Sequence, residues 1–239
     1  MALPKIVVKT TPIEQPVSKK VLQVKPMTVA QQISMMEAHE SNNTAKQVTV
    51  LKDILNGCVV EDSKFKIGKM LYVEAEYLLM KVRAISGSDP TESVKLPNDS
   101  TIYTVNLMTD VSVVGESVPG FIDIPSDTPM KIKMILPTLE MVEREASLNG
   151  NLGRAEQAYG LILDCIESIA SEETVTICGK DITSKELRTF IGEFSANMFE
   201  PITKFFSHIP QVVLNVAEVN KKLVGLTDIF AAINDAKKQ

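Results

Sequence analysis

The chain has 239 residues and a formal net charge of −5; 44% of its residues are hydrophobic and 23% are charged. This composition excludes a disordered chain, and the length is sufficient for one large domain or two small ones. Nucleic-acid binding is also disfavoured, because the chain is acidic and its basic residues cluster no more densely than lysine pairs.

Membrane insertion and secretion are disfavoured by the apolar pattern. No stretch approaches the roughly 18 consecutive apolar residues of a membrane-spanning helix, and the opening Met1–Lys5 contains no apolar signal segment. The cysteines Cys58, Cys165 and Cys178 are odd in number and widely spaced. We therefore expect reduced, buried thiols in a protein that is made in the cytosol.

Residues 1–90 are predicted to form two short strands followed by helices. β-forming residues cluster at Ile6–Thr10 and Lys20–Lys25, with Pro12 and Pro16 between them, which indicates strands joined by a proline-bearing loop. Amphipathic helices are then predicted from Val29 to about Glu40, from Thr44 to Gly57, and from Ile67 to Ile85. In the first of these helices, Val29, Ile33 and Met36 recur at helical spacing.

Residues 91–136 change in character and become rich in Val, Thr, Ile and Ser, with turn signals between short apolar runs. Candidate strands are Ser93–Leu96, Ile102–Met108, Val111–Val114, Phe121–Ile124 and Met130–Ile135. This pattern predicts a small antiparallel β element that is inserted between helical parts of the chain.

Residues 137–239 return to a helical pattern with a β hairpin near the end. Helices are predicted at Leu139–Leu148, at Arg154–Ala170, from Thr183 or Ser184 to Phe194, from about Pro201 to Pro210 and at Leu226–Ala236, and strands at Thr174–Cys178 and Val212–Val216. The whole order predicts one α+β protein, mainly helical, with short N-terminal strands, the inserted β element and a C-terminal strand-helix hairpin.

Two capping-box patterns mark helix starts. Thr28 is followed three residues later by Gln31, and Thr183 is followed by Glu186 at the same spacing. In such a box the hydroxyl accepts from a backbone N–H of the first turn, and the longer side chain accepts from the cap's own N–H. Helices are therefore expected to begin directly after Thr28 and at Thr183 or Ser184.

The residues offer no recognisable catalytic or metal-binding motif. His39 and His208 each lie at a predicted helix end among polar residues, and no two Cys or His residues have the close spacing of a zinc site. Metalloprotease, serine-hydrolase and phosphate-loop motifs are missing, and the adjacent Glu172 and Glu173 are typical of a solvated helix end. We expect a protein that is not an enzyme and has no cofactor or metal.

Several ordered segments resemble the baseplate hub subunit family of T-even-like contractile phages. They are VLQVKPMTVAQQISMMEA (Val21–Ala38), ILNGCV (Ile54–Val59), EAEYLLMKVRAISG (Glu74–Gly87), KIKMILPTLEM (Lys131–Met141), CIESI (Cys165–Ile169) and SKELRTFIGEFSANMFEPITKFFSHIP (Ser184–Pro210). Many members of that family have a zinc-ribbon-like C-terminal hairpin with paired cysteines, whereas the matching turn here, Glu218–Asn220, has none. Zinc is therefore not implied for this chain.

The resemblance implies a structural or assembly component of a baseplate hub, acting through contacts with other phage baseplate or tail proteins. An alternative is a transient tail assembly chaperone that binds hub proteins or the tape measure protein, because methionine-rich helical faces suit adaptable contacts. Either protein would occur in the host cytoplasm during assembly, and the structural component also in the virion tail baseplate.

Apolar and aromatic residues of two predicted helices are the candidates for partner binding. They are Met198, Phe199, Ile202, Phe205, Phe206 and Pro210, together with Met35 and Met36. For Phe205 and Phe206 the competing interpretation is that they belong to the core. If these residues form an interaction surface, an exposed apolar patch is expected on the isolated chain.

Overall fold

The computed structural model describes residues 8–41, 43–60, 65–148 and 154–238. Within these ranges the helices are α1 Val29–Glu40, α2 Thr44–Cys58, α3 Tyr72–Ser86, α4 Leu139–Leu148, α5 Arg154–Asp164, α6 Ser184–Gly192, α7 Ala196–Ser207 and α8 Leu226–Lys237. The strands are β1 Thr11–Glu14, β2 Val21–Val24, β3 Thr91–Lys95, β4 Ile102–Asn106, β5 Val111–Val114, β6 Gly120–Ile124, β7 Met130–Met134, β8 Ile166–Ser171, β9 Val175–Ile177, β10 Gln211–Val216 and β11 Lys221–Val224. The predicted α+β class is confirmed.

The chain divides into two compact units. Unit 1 contains Met1–Val114 and Gln211–Gln239, and unit 2 contains Gly115–Pro210. The strands expected to form one inserted element at residues 91–136 are shared between the units, with β3, β4 and β5 in unit 1 and β6 and β7 in unit 2. The reason is long-range pairing, since β5 pairs with β10 and β7 pairs with β8.

Unit 1 packs helices against three small antiparallel sheets. Their strand orders are β1-β2, β3-β4 and β11-β10-β5. One large cluster of buried side chains combines residues of α3 and α8 with residues of β3, β4, β5, β10 and β11, including the fully buried Met80, Leu214 and Ile229. The core is mainly aliphatic, as a chain without tryptophan requires.

Helix α3 carries a buried carboxylate that binds the β1–β2 turn. Glu74 is 3% exposed. Its Oε1 accepts hydrogen bonds from the backbone N–H groups of Val17 at 3.1 Å and Ser18 at 2.6 Å. Hydrogen bonds from backbone N–H groups compensate for the loss of water around a buried carboxylate. The turn and the helix are therefore held together by a group that would be costly to leave unpaired.

Two turns further along α3, a buried lysine binds the β4–β5 loop. The Nζ of Lys81 donates to the backbone carbonyls of Leu107, Met108 and Val111 at 3.0, 2.8 and 3.2 Å. Burial lowers the pKa of Lys81 to about 8, and nearby Asp110 opposes this shift. At neutral pH the ammonium form therefore predominates, and it has one N–H for each of the three carbonyls.

Unit 2 contains a four-stranded antiparallel sheet in the order β6-β7-β8-β9 and helices α4 to α7. The helix expected over Arg154–Ala170 is wrong in its second half, because α5 ends at Asp164 and Ile166 begins β8. Ile166 and Ile169 lie opposite Met134 and Ile132 of β7. Pairing with a strand from an earlier part of the chain thus overrides the local helical spacing.

Smaller differences concern where elements begin. The first strand is Thr11–Glu14 rather than Ile6–Thr10, of which residues 6 and 7 lie outside the described residues. β1 pairs only with β2, so Pro12 can occupy this edge strand. The helix expected to begin near Pro201 begins at Ala196 instead, because the Ser195 side chain accepts from the first turn and caps it.

The region expected to be a single helix over Ile67–Ile85 is also divided, into a short 3-10 turn at Ile67–Lys69 and helix α3. Both capping boxes are confirmed. Thr28 with Gln31 precedes α1, and Thr183 with Glu186 precedes α6. Local hydrogen bonding therefore determines the starts of these two helices.

We predict that Lys81→Met lowers the free energy of unfolding by about 2–3 kcal/mol, because it leaves buried carbonyls without donors. Lys46→Met is the matched control: Lys46 is exposed on α2, and its replacement should change stability by less than about 0.5 kcal/mol. Urea denaturation followed by circular dichroism measures both variants. Equal stability of the two would contradict the proposed importance of the Lys81 hydrogen bonds.

Candidate functional site

The structure divides the predicted partner-binding residues between the two units. Met35 and Met36 belong to α1 of unit 1, and the remaining residues belong to unit 2. Ile202 and Phe205 are 0% and 7% exposed, so they are core residues of unit 2 and cannot form an outer contact surface. Met198, Phe199, Phe206 and Pro210 are partly exposed.

Aromatic contacts organise the outer side of α7. The Phe206 ring packs edge-on against buried Phe205 with ring centroids 5.6 Å apart. The Phe199 ring lies 6.2 Å from the ring of Tyr159 on α5. Phe206 thus contacts the core of unit 2 through Phe205 while part of its ring stays exposed.

Sequence reasoning missed an exposed aromatic residue near α7. Phe121 of β6 is 53% exposed and lines a groove of about 380 Å³ together with Pro201, Lys204 and His208 of α7. Strand alternation could have identified it, because buried Ile124 points inward from the same strand and Phe121 has the opposite parity. Phe121 is therefore an additional exposed aromatic residue of unit 2, in a groove that it shares with a face of α7 carrying Lys204 and His208.

Helix α1 presents an apolar stripe to solvent. Val29, Ile33 and Met36, which recur at helical spacing, are 72%, 51% and 61% exposed. Ala38 is the buried residue of this helix. We call Val29, Ile33 and Met36 the α1 stripe. Isolated exposed apolar residues are ordinary, but three in helical register are typical of a contact surface.

A cavity of about 150 Å³ lies between α1, α2, α3 and α8, and we call it the α1 pocket. Its apolar walls are formed by Met35, Ala38, Val48, Val50, Leu51, Ile54, Leu226 and Phe230. The polar side chains of the lining are His39, Thr44, Gln47, Thr227 and, from α3, Tyr72 and Glu76. The edge of the His39 ring packs against Phe230, with the ring centroids 5.9 Å apart.

The electrostatics of the α1 pocket centre on Glu76. Burial raises the pKa of its carboxyl to about 7, although the hydrogen bond with Tyr72 lowers it. Burial also raises the pKa of Tyr72 well above its ordinary value, and the adjacent carboxylate adds to this shift. Tyr72 is therefore a hydrogen-bond donor at neutral pH, while Glu76 is divided between its neutral and ionised forms.

Other kinds of site find little support in the described parts of the chain. Across residues 8–41, 43–60, 65–148 and 154–238, no group of three or more His, Cys, Asp or Glu side chains is arranged to hold a metal ion. In the same ranges, no helix has the length and apolar character needed to cross a bilayer. The features that remain as candidate functional sites are the exposed apolar surfaces and the α1 pocket.

Exposed apolar faces on both units, together with a pocket of mixed polarity, are typical of a protein that works by contacting other proteins. The chain belongs to the T4 bacteriophage base plate protein family, whose model matches residues 6–231. No match was found among curated proteins or among solved structures. The expectation of a phage baseplate protein is thus confirmed at the level of the family.

The three cysteines are free thiols in this structure. Cys58 and Cys165 are buried, and Cys178 is partly exposed. Burial raises the pKa of Cys58 to about 11, that of Cys165 to about 12, and that of Cys178 by a smaller amount. Only the thiolate reacts readily, so all three should be poor nucleophiles at neutral pH.

We predict that native protein reacts slowly with a thiol reagent at pH 7 and that Cys178 reacts first. Denaturant should expose all three thiols and make labelling fast and complete. Mass spectrometry of partly labelled protein identifies the order, with Cys178→Ser as the control that removes the earliest product. Immediate labelling of Cys58 and Cys165 without denaturant would contradict their burial.

Proposed function

We propose that the chain is a non-enzymatic component of the hub of a contractile phage tail baseplate and that it acts by protein–protein contacts. The observation that supports this proposal most directly is the α1 stripe, an apolar helix face exposed to solvent in a protein of a baseplate family. A partner that covers this exposed apolar surface removes it from water, which favours binding. A stable contact of this kind buries roughly 1,000 Å² or more in total.

A second surface on unit 2 supports the same function. The exposed parts of Met198, Phe199, Phe206 and Pro210, with the groove beside Phe121, offer aromatic and methionine side chains. Aromatic residues and methionine are enriched in the centres of protein interfaces. A component with two such surfaces is suited to join more than one neighbour in an assembly.

The alternative function is that of a transient chaperone for tail assembly. Met35 lines the α1 pocket and Met36 belongs to the α1 stripe, so the same helix presents two flexible thioether side chains. Such side chains adapt to differently shaped apolar partners. The proposed clients are hub proteins or the tape measure protein, bound in the host cytoplasm before the tail is complete.

Mass spectrometry of purified virions distinguishes these functions. A structural hub component should give peptides in a fixed ratio to other baseplate proteins. A chaperone should be abundant in infected-cell lysate and missing from virions. If the protein is also missing from purified baseplates and from all assembly intermediates in the lysate, both functions are rejected.

We predict that Ile33→Glu combined with Met36→Glu reduces plaque formation at least about tenfold, since two charges in the α1 stripe would oppose burial by a partner. Both side chains are exposed, so thermal unfolding should stay close to that of the unchanged protein. Ser34→Glu is the matched control, because it adds a charge to an exposed position of α1 outside the stripe. Normal plaques from the folded double variant would rule out the α1 stripe as an essential contact.

A further inference from the structure

The α1 pocket has the dimensions and the walls of a binding site for a small side chain. Its volume of about 150 Å³ equals that of an engineered cavity of about 150 Å³ that binds benzene. Methionine, aliphatic and phenylalanine side chains supplied by α1, α2 and α8 form the walls, and α3 supplies Tyr72 and Glu76. Thr44, Gln47 and Thr227 add further polar groups, so the pocket combines apolar walls with polar groups that can orient a bound side chain.

Glu76 differs from two other charged residues of α3, Glu74 and Arg83, because no lysine or arginine is among the described residues that line its pocket. Glu74 accepts from two backbone N–H groups, and Arg83 pairs with Glu92 at 2.7 Å. Glu76 has the hydroxyl of Tyr72 as its hydrogen-bond partner. Among the described residues that line the pocket, α2 and α8 contribute no charged side chain, and the remaining titratable group is His39 of α1.

We propose that the α1 pocket receives a single Lys or Arg side chain from a partner protein of the baseplate. The choice of partner rests on the proposed function, whereas the choice of side chain rests on the pocket. Its apolar walls fit the methylene stem of a basic residue, and the Glu76 carboxylate fits the cationic end. Anions would be repelled, and neutral groups would leave the carboxylate without a counter-charge.

The α1 stripe offers the partner a second, apolar contact surface on the same helix. Met35 lines the pocket, and its neighbour Met36 belongs to the stripe. By helical spacing, the stripe and the pocket-lining residues Met35, Ala38 and His39 lie on different faces of α1, so a partner that uses both must contact two faces of this helix. The stripe would supply most of the buried apolar area, and the pocket would select a basic residue.

Binding of a cation should be coupled to ionisation of Glu76. Because the pKa of Glu76 in the empty pocket is about 7, its carboxylate becomes neutral as the pH falls below that value. Affinity for a cation should then fall by up to about tenfold per pH unit. Protonation of His39 would act in the same direction by adding a positive charge. His39→Gln separates the two effects, because the dependence should persist in this variant.

The test uses two probes that reproduce the basic side chains, n-propylguanidinium for Arg and n-butylammonium for Lys. Nuclear magnetic resonance titration of the full chain at pH 8 should give saturable shifts of the Met35 methyl signal with dissociation constants in the millimolar range. Glu76→Gln preserves the shape and can still accept from Tyr72, and it should weaken binding at least tenfold. The neutral probe n-butanol should bind the unchanged protein and Glu76→Gln equally.

Three outcomes would overturn the pocket assignment. They are failure of both cations to saturate at about 100 mM, equal binding of cations to Glu76→Gln in a folded protein, and preference of the unchanged protein for n-butanol. These measurements need no phage protein other than the chain itself. A failure of the proposed baseplate function, detected in purified virions, would leave them unaffected.

The partner is identified by a photo-crosslinker, p-benzoylphenylalanine, placed during infection at position 36, which is exposed next to the pocket-lining Met35. A crosslinked peptide from another baseplate protein that contains Lys or Arg supports the proposal. A crosslink to a second copy of this chain, or to a segment without a basic residue, rejects the proposed occupant. The yield of this crosslinked product should decrease severalfold when Glu76→Gln is introduced into the chain that carries the photo-crosslinker.

Discussion

Unit 1 depends on the hydrogen bonds that two buried charged side chains of α3 make with distant parts of the backbone. Glu74 binds the β1–β2 turn, and Lys81 binds the loop between β4 and β5. Leaving either charge unpaired in the interior would cost several kcal/mol, so the helix and both loops must form together. Each charged group therefore acts as a specific connection, in contrast to the non-directional packing of the aliphatic core around it.

The same helix determines where Glu76 lies. Glu74 faces the β1–β2 turn, and Glu76, two residues later, lies on a different face of α3, at the α1 pocket. Near the other end of α3, Arg83 pairs with Glu92 of β3, and Lys237 of α8 lies 3.4 Å from the same carboxylate. With α3 held at both ends, the position of Glu76 follows from the fold of unit 1. A pocket on such a rigid helix needs little rearrangement to accept a side chain.

The connection to unit 2 also uses a backbone constraint. The segment Gly115–Pro210 is inserted between β5 and β10, where Val114 and Gln211 are paired in neighbouring strands. Gly115 has a φ of +153°, and a Cβ atom there would lie 2.5 Å from Pro210 Cα. A side chain at this position would therefore collide with the returning backbone. Insertion between two adjacent strand ends leaves the pairing within unit 1 intact.

The sequence alone determined features whose causes lie within a few residues. The Thr28 and Thr183 capping boxes place the starts of α1 and α6, because donor and acceptor are three residues apart. The strand Val111–Val114 was predicted with its observed bounds from a short apolar segment. The lack of closely spaced Cys and His pairs could likewise be seen in the sequence alone. Short segments that occur in order along the chain indicated a phage baseplate protein, and the family model over residues 6–231 confirms that level.

Only the tertiary structure decided which neighbours cover each segment. The run after Cys165 has helical spacing but becomes β8, since β7 offers a strand to pair with. Periodicity groups Val29, Ile33 and Met36 on one face of α1, yet it cannot show that this face is left in solvent. Likewise, nothing near Glu76 in sequence indicates that residues of four helices line its pocket and that no lysine or arginine is among those described there. Burial and charge pairing depend on contacts between distant residues, and local patterns do not contain them.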